Sequence, residues 1–233
     1  MPTFTLASFN ICSAHFKEGK YTDENLRLVA EKITESRADI IALQEVDRGA
    51  SRSNGVDMPA RLSELTGIPY HYFIKIRDFQ GGEYGTAILS KYPILESQTL
   101  NFPVKIATQG TSCGYVVLDV EGTPVTVYNT HLSIENEEAN TECLSCLGDI
   151  LKAHSETRGA FLCCGDFNTS PEKVKTYIPW VTLAHNGLHT YADRSIDHIL
   201  SIAPIMTQNT RTMDTQYDGT TDHHMVVLEV TFP

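Results

Sequence analysis

The chain has 233 residues, 41% of them hydrophobic and 20% charged, with a formal net charge of -11 at pH 7. That length can bury a substantial core as one large domain or two small ones. The acidic balance repels polyanions at long range and argues against a non-specific nucleic-acid binder, while leaving room for a local basic patch.

The opening "MPTFTLASFN" has no basic segment followed by an apolar one. No apolar run reaches the roughly 20 residues that span a bilayer. The expectation is therefore a cytoplasmic protein with no integral membrane segment. The six cysteines (Cys12, Cys113, Cys143, Cys146, Cys163 and Cys164) are expected as reduced thiols. Cys143 and Cys146 form a lone C-x-x-C in a polar, helix-like stretch without a second pair, which argues against zinc.

In chain order, "TFTLASFNI" alternates polar and apolar residues as a half-buried strand does. Leu26, Val29, Ala30 and Ile33 then mark an amphipathic helix over 23–36. "DIIALQEV", from Asp39, reads as a strand buried on both faces. The polar loop "DRGASRSNG" precedes a short helix, with Asp57 near its start, Pro59 in its first turn and Gly67 at its end. Strands are predicted at Tyr70–Ile76, Thr86–Ser90, Val116–Val120 and Val125–Thr130. A helix is predicted over Glu135–His154, acidic at its start, with Leu144, Leu147 and Leu151 on one face. Strands at Ala160–Cys164, Ser195–Ile202 and Met225–Thr231 complete the set. The mixture favours a layered mixed-sheet domain over a simple βαβ array.

Several of these strands end in polar or ionisable residues: Asn10, Gln44 and Glu45, His131, Asp166 and Asn168, with "TTDHH" just before the last strand. Taken singly, each has an ordinary reading. Asn10 is a turn residue, Glu45 is solvated, His131 satisfies a local hydrogen bond, and "GDFN" is an Asx-turn leading into a helix over "TSPEKV". "NTS" at Asn168 also fits a glycosylation acceptor, a reading discounted because Pro171 follows closely and no export signal is seen. Taken together, hard oxygen ligands for Mg²⁺ or Mn²⁺ beside His and Asp acid–base groups are the parts of a metal-assisted phosphoryl hydrolase.

The blocks "SFNI", "ALQEVD", "GTAILSKYPI", "YNTHL", "GDFNTSP", "SIDHIL" and "TDHHMVV" occur in an order that resembles the endonuclease/exonuclease/phosphatase superfamily. The resemblance runs from residue 8 to about residue 228 and implies one domain over 1–233. It also implies an α/β (α+β) four-layered sandwich, two mixed sheets packed face to face with helices outside. It implies one or two divalent cations, Mg²⁺ or Mn²⁺, held by Asn10 and Glu45, with Asp222 completing or approaching the site. By the same resemblance, Asp166 orients or deprotonates the attacking water and Asn168 holds Asp166 or the phosphate. His223, paired with Asp197, contacts the phosphate or acts as base, and His131 stabilises the phosphate or protonates the leaving oxygen. Whether Asp166 or the His223–Asp197 pair is the base stays open. His224 stands where the family often has another residue type, and "HTYADRSIDHIL" looks shorter than the usual loop. His198 is expected to be structural.

The substrate expectation is a phosphoester of a small molecule or a lipid headgroup, cleaved by a phosphodiesterase or phosphatase that is a monomer. Arg48 and Arg52, close behind Glu45, are candidates to grip a second phosphate or an anionic headgroup, or form a solvated loop. Tyr84, after Gly81 and Gly82, packs on substrate or on the sheet edge. The alternatives are a nuclease on single-stranded or damaged nucleic acid, and a catalytically silent binding module that keeps the fold.

Overall fold

Alternation along the strands fixes the layers. In the first strand, Phe4 and Leu6 face one way, while Ala7 and Phe9 face the other and join a different apolar cluster. The computed structural model describes residues 1–15, 19–108, 111–184, 187–215 and 220–233. Its strands are β1 (Thr3–Asn10), β2 (Ile40–Arg48), β3 (Tyr70–Phe79), β4 (Gly82–Ser90), β5 (Ile94–Asn101), β6 (Ser112–Val120), β7 (Thr123–His131), β8 (Phe161–Asp166), β9 (Thr182–Leu183), β10 (Asp197–Ser201), β11 (Met206–Met213) and β12 (Met225–Thr231). The helices are α1 (Asp23–Ser36), α2 (Met58–Thr66), α3 (Glu137–Thr157) and α4 (Pro171–Tyr177), with short 3-10 turns at Cys12–Ala14 and Ser51–Ser53.

Two six-stranded mixed sheets result, ordered β11-β12-β1-β2-β4-β3 and β5-β6-β7-β8-β10-β9. The pairs β1–β2 and β7–β8 are parallel. Phe4, Leu6, Ile40, Ile88, Val116, Val127, Leu162 and Ile199 fill the layer between the sheets. Leu26, Val29 and Ile33 of α1 and Leu62 of α2 cover the outer face of the first sheet. Leu144, Leu147 and Leu151 of α3 and Val174 of α4 cover the second. This is the four-layered arrangement expected from the resemblance.

The helix ends follow their capping chemistry. Asp57 accepts from the Ala60 N–H at 3.1 Å, Pro59 lies in the first turn of α2, and Gly67 closes it at φ +70°. α3 begins at Glu137 rather than Glu135 because Asn136 caps it, accepting from the Ala139 N–H at 2.9 Å. Three strands, β5, β9 and β11, were not anticipated. All three run along the sheet margins with exposed or half-buried residues, so none shows the apolar alternation that marks a strand in sequence.

The interior layer changes character along its length. On the faces turned to the opposite sheet, β1 runs Phe4, Leu6, Ser8, Asn10, and β2 runs Ile40, Ala42, Gln44. β7 runs Val125, Val127, Asn129, His131, and β8 runs Leu162, Cys164, Asp166. Each strand is apolar at one end and polar at the other, and the polar ends meet at one edge of the sandwich. Gly165 makes the approach possible inside β8. A Cβ there would lie 2.4 Å from the Thr130 carbonyl oxygen of β7, so no larger residue fits the parallel pairing.

Buried Asn129 ties the two sheets together behind this edge. Its Nδ2 donates to the carbonyls of Leu43 (2.9 Å) and Ala87 (2.8 Å) in the facing sheet, and its Oδ1 accepts from Gln44 Nε2 at 2.8 Å. Leaving such buried groups unsatisfied costs about 1–3 kcal/mol each.

Candidate active site

The second sheet delivers three side chains in lateral register. His131 pairs with Asp166 across β7–β8, and Asp166 pairs with Asp197 across β8–β10. Asp166 sits at their centre, 1% exposed. Its Oδ2 accepts from Asn10 Nδ2 at 3.0 Å and lies 3.6 Å from His131 Nε2 and 3.7 Å from His223 Nε2. Its Oδ1 accepts from the Asn168 N–H at 2.9 Å. Burial, followed by the charge of Asp197, raises the Asp166 carboxyl above the ordinary aspartate value, and the two histidines oppose the shift.

His223 is also buried, with Nδ1 2.9 Å from Asp197 Oδ2 and its ring against Tyr191 at 4.8 Å between centroids. Burial works against its protonated form. The charges of Asp197, Asp166 and Asp222 together with the Asp197 hydrogen bond outweigh that and hold its pKa at about 9. His223 is therefore an imidazolium at neutral pH, with both ring nitrogens as donors. Thr215 Oγ1 donates to the His223 carbonyl at 2.5 Å and Thr221 Oγ1 to the Asn10 carbonyl at 2.9 Å, pinning the segment before β12 to the end of β1.

The first sheet supplies its residues irregularly. β2 carries a bulge between Leu43 and Val46 where it pairs with β4, and Glu45 within it adopts φ +55°. After Asn10, the residues Cys12, Ser13 and Ala14 have φ of +48°, +46° and +55°, a left-handed turn built without glycine. Asn10 Nδ2 donates to Glu45 Oε1 (3.2 Å) as well as to Asp166, and its Oδ1 accepts from the Cys12 N–H at 3.0 Å. Asp222 Oδ1 lies 4.0 Å from His223 Nε2. The Cys12 thiol, half-buried beside Glu45 and Asp222, is pushed up to about 12, so it stays protonated.

The remaining sequence candidates take supporting positions. Tyr84 OH is 3.4 Å from His131 Nδ1, and both line a cleft of about 70 Å³ together with Arg77, Ser133 and Glu135. Asn168 is left-handed at φ +51°, and its Nδ2 donates to the Leu132 carbonyl at 3.1 Å. It does not continue the period-two alternation of β8. It folds back to hold the backbone after His131 and to cap Asp166. Arg52 is bound to Asp47 and Ser13, and Arg48 lies on Glu83 and over the Phe73 ring at 4.3 Å. His198 Nε2 is 2.8 Å from the Thr169 carbonyl, a structural position, and half-buried His224 is 3.7 Å from Asp214. The site's neighbourhood also contains Asn129, Asp47, Ser13, Thr221 and Tyr191, which sequence reasoning did not single out. Only Asn129 had a signal, as a polar residue one alternation before His131.

Donor atoms of Asp166, Asp197 and His223 lie within 4.8 Å of one another, close enough to hold a metal ion. His223 Nδ1 and Asp197 Oδ2 are already spent on each other, so this group is better suited to acid–base work. The hard-oxygen set is Glu45, Asp222 and Asn10. Glu45 and Asp222 are half-buried carboxylates, and among the described residues neither forms an ion pair with a lysine or arginine. Both lie beside Cys12, and two such carboxylates fit a divalent cation.

Comparisons with known proteins bear on the fold and the family. An endonuclease/exonuclease/phosphatase protein from Beutenbergia cavernae superposes with TM-score 0.82 at 21% identity, covering 100% of this chain and 72% of that one. The human Nocturnin catalytic domain gives 0.79 at 17%, covering 100% and 94%. Sphingomyelinase C from Streptomyces griseocarneus gives 0.68 at 16%, covering 98% and 99%. No curated protein matches in sequence. At these identities the structures show a shared fold. The sequence profile of the Endonuclease/Exonuclease/phosphatase family matches residues 7–220, nearly the whole chain, so the protein belongs to that family and is one of its hydrolases.

Proposed function

We propose that the protein is a divalent-metal-dependent phosphodiesterase or phosphatase acting on a small or lipid-derived phosphoester. The observation that carries this is the surrounding of Asp166 Oδ2: one carboxylate oxygen meets Asn10, His131 and His223 within 4 Å. Glu45 and Asp222, with Asn10 between Glu45 and Asp166, would hold Mg²⁺ or Mn²⁺. The cation supplies charge neutralisation and polarises a phosphoryl oxygen.

The chain's own groups divide the remaining work. His223, protonated through Asp197, donates a hydrogen bond to a phosphoryl oxygen and cannot also serve as base near neutral pH. The base is then Asp166, whose raised carboxyl pKa brings it nearer to the pH at which it must accept a proton from water. His131, oriented by Tyr84, protonates the leaving oxygen. Asn168 fixes the rotation of Asp166 by donating from its N–H. The net charge of -11 favours a small substrate over a long polyanion.

The test is hydrolysis of bis(p-nitrophenyl) phosphate, p-nitrophenyl phosphate and a labelled oligonucleotide with Mg²⁺, Mn²⁺ or EDTA. Metal-dependent cleavage of a small ester, reduced at least about a thousandfold in Asp166→Asn and His223→Ala, is expected. Cleavage of the oligonucleotide alone would replace the small-substrate reading with a nuclease. Inactivity on all three with no metal-dependent rise in Tm would remove the catalytic reading.

A further inference from the structure

Arg52 does not point its charge at solvent. Its Nε donates to Asp47 Oδ2 and its Nη2 to Asp47 Oδ1, both at 2.8 Å, a bidentate pair with a carboxylate that is fully buried. Ser53 Oγ donates to the same carboxylate. The guanidinium also lies 4.6 Å from the Phe79 ring centroid and 5.5 Å from that of Tyr84. Every one of these contacts restricts the group to one orientation.

From that orientation Arg52 reaches the site's irregular backbone. Its Nη2 also donates to Ser13 Oγ at 2.8 Å, and Ser13 Oγ donates to the Glu45 carbonyl at 3.0 Å. Ser13 and Glu45 are both left-handed non-glycine residues, at φ +46° and +55°. Left-handed backbone at such residues costs about 1–2 kcal/mol each, so it persists only where neighbours over-determine it. The chain Asp47–Arg52–Ser13–Glu45 is a restraint of that kind. Ser13 is one residue beyond Cys12, whose N–H holds Asn10 Oδ1.

We propose that Arg52 is a positioning residue: locked on buried Asp47, it fixes through Ser13 the bulged backbone that aims Glu45 and Asn10 at the divalent cation. This rests on the metal-dependent reading above. It makes Arg52 a determinant of cation affinity rather than a contact to a substrate anion. Lysine cannot replace it, because an ammonium cannot hold two carboxylate oxygens and a hydroxyl in one plane.

The test compares the wild type with Arg52→Lys and Ser13→Ala. Ser13→Ala cuts the relay and leaves the Arg52–Asp47 pair intact, which guards against loss of folding in the arginine variant. Mn²⁺ binding is titrated by the EPR signal of free Mn²⁺, and KM and kcat are measured at saturating Mg²⁺. Both variants are expected to weaken Mn²⁺ binding about tenfold or more, with substrate KM and saturated kcat within about twofold of wild type. Unchanged Mn²⁺ affinity in a folded Ser13→Ala protein would overturn the relay. A raised KM with unchanged Mn²⁺ affinity in Arg52→Lys would make Arg52 a substrate contact. A wild type that binds no Mn²⁺ would instead overturn the metal-dependent reading itself.

Discussion

The two sheets build their halves of the site by different means. The second sheet places His131, Asp166 and Asp197 side by side through regular pairing, with β7–β8 parallel and β8–β10 antiparallel. The first brings in Asn10 and Glu45 on a bulge and a left-handed turn, with the half-buried Arg52–Asp47 ion pair beside them. Regular register gives fixed spacing without local strain, which suits groups that exchange protons over short distances. Bulges re-aim a side chain that alternation would otherwise send elsewhere, at a local cost. So the proposed acid–base half is expected to depend on sheet packing, and the proposed cation half on a few specific contacts.

The largest expected effect comes from breaking the regular half. Gly165→Ala would push a methyl group into the Thr130 carbonyl and force β7 and β8 apart. We expect destabilisation on the order of 3 kcal/mol and loss of activity, because the same displacement separates His131 from Asp166. Urea unfolding of the variant checks it. A stability within about 0.5 kcal/mol of wild type, the range of neutral surface changes, would show that the register is not the constraint.

A subtler probe of the same half is the His223–Asp197 pair. The folded pKa of His223, about 9, lies above the ordinary value of 6.5. The folded protein therefore holds a proton that the unfolded chain has released across that window. The resulting stability is fully present below pH 6.5 and disappears as pH rises through about 9. It amounts to about 3 kcal/mol at most, since one pKa unit is worth about 1.4 kcal/mol. Measured in EDTA, unfolding free energy should fall between these pH values in the wild type and much less in Asp197→Asn. Both slopes are taken in an Asp166→Asn background, because the Asp197 charge also raises the Asp166 carboxyl. Equal slopes would mean that Asp197 does not hold the proton on His223.

The contrast between the halves also explains what could be read from the sequence. The strands carrying Asn10, Gln44, His131 and Asp166 were visible because each apolar run ends in a polar residue at the same end of the sandwich. Their convergence was not visible in any single strand and came from the order of the family blocks. Edge strands β5 and β11 escaped because solvent on most of their residues leaves no alternation to detect. Arg52 was noticed, but its partner was not. Asp47 lies in the polar-looking "EVDR", and nothing local in that stretch says that the aspartate is fully buried. Asn168 lies just past β8, where its left-handed backbone rather than strand alternation turns its N–H towards Asp166.

The smallest expected effect is on the irregular half, and it has the opposite sign in stability. Glu45 at φ +55° carries a conformational cost that glycine does not. Its half-buried side chain accepts one hydrogen bond, from Asn10, shares that donor with Asp166 and lies with Asp222 beside Cys12, so removing it also reduces like-charge repulsion. Glu45→Gly should therefore leave the metal-free protein about as stable or up to about 1 kcal/mol more stable, since relief of left-handed strain exceeds one partly exposed hydrogen bond. The same change should abolish the rise in Tm on adding Mn²⁺. Thermal melts with and without the ion read both quantities from one sample. A destabilised metal-free variant would place the bulge among the structural elements of the sheet. A stable variant that no longer responds to the ion would show that the first sheet keeps a strained residue there for cation binding alone.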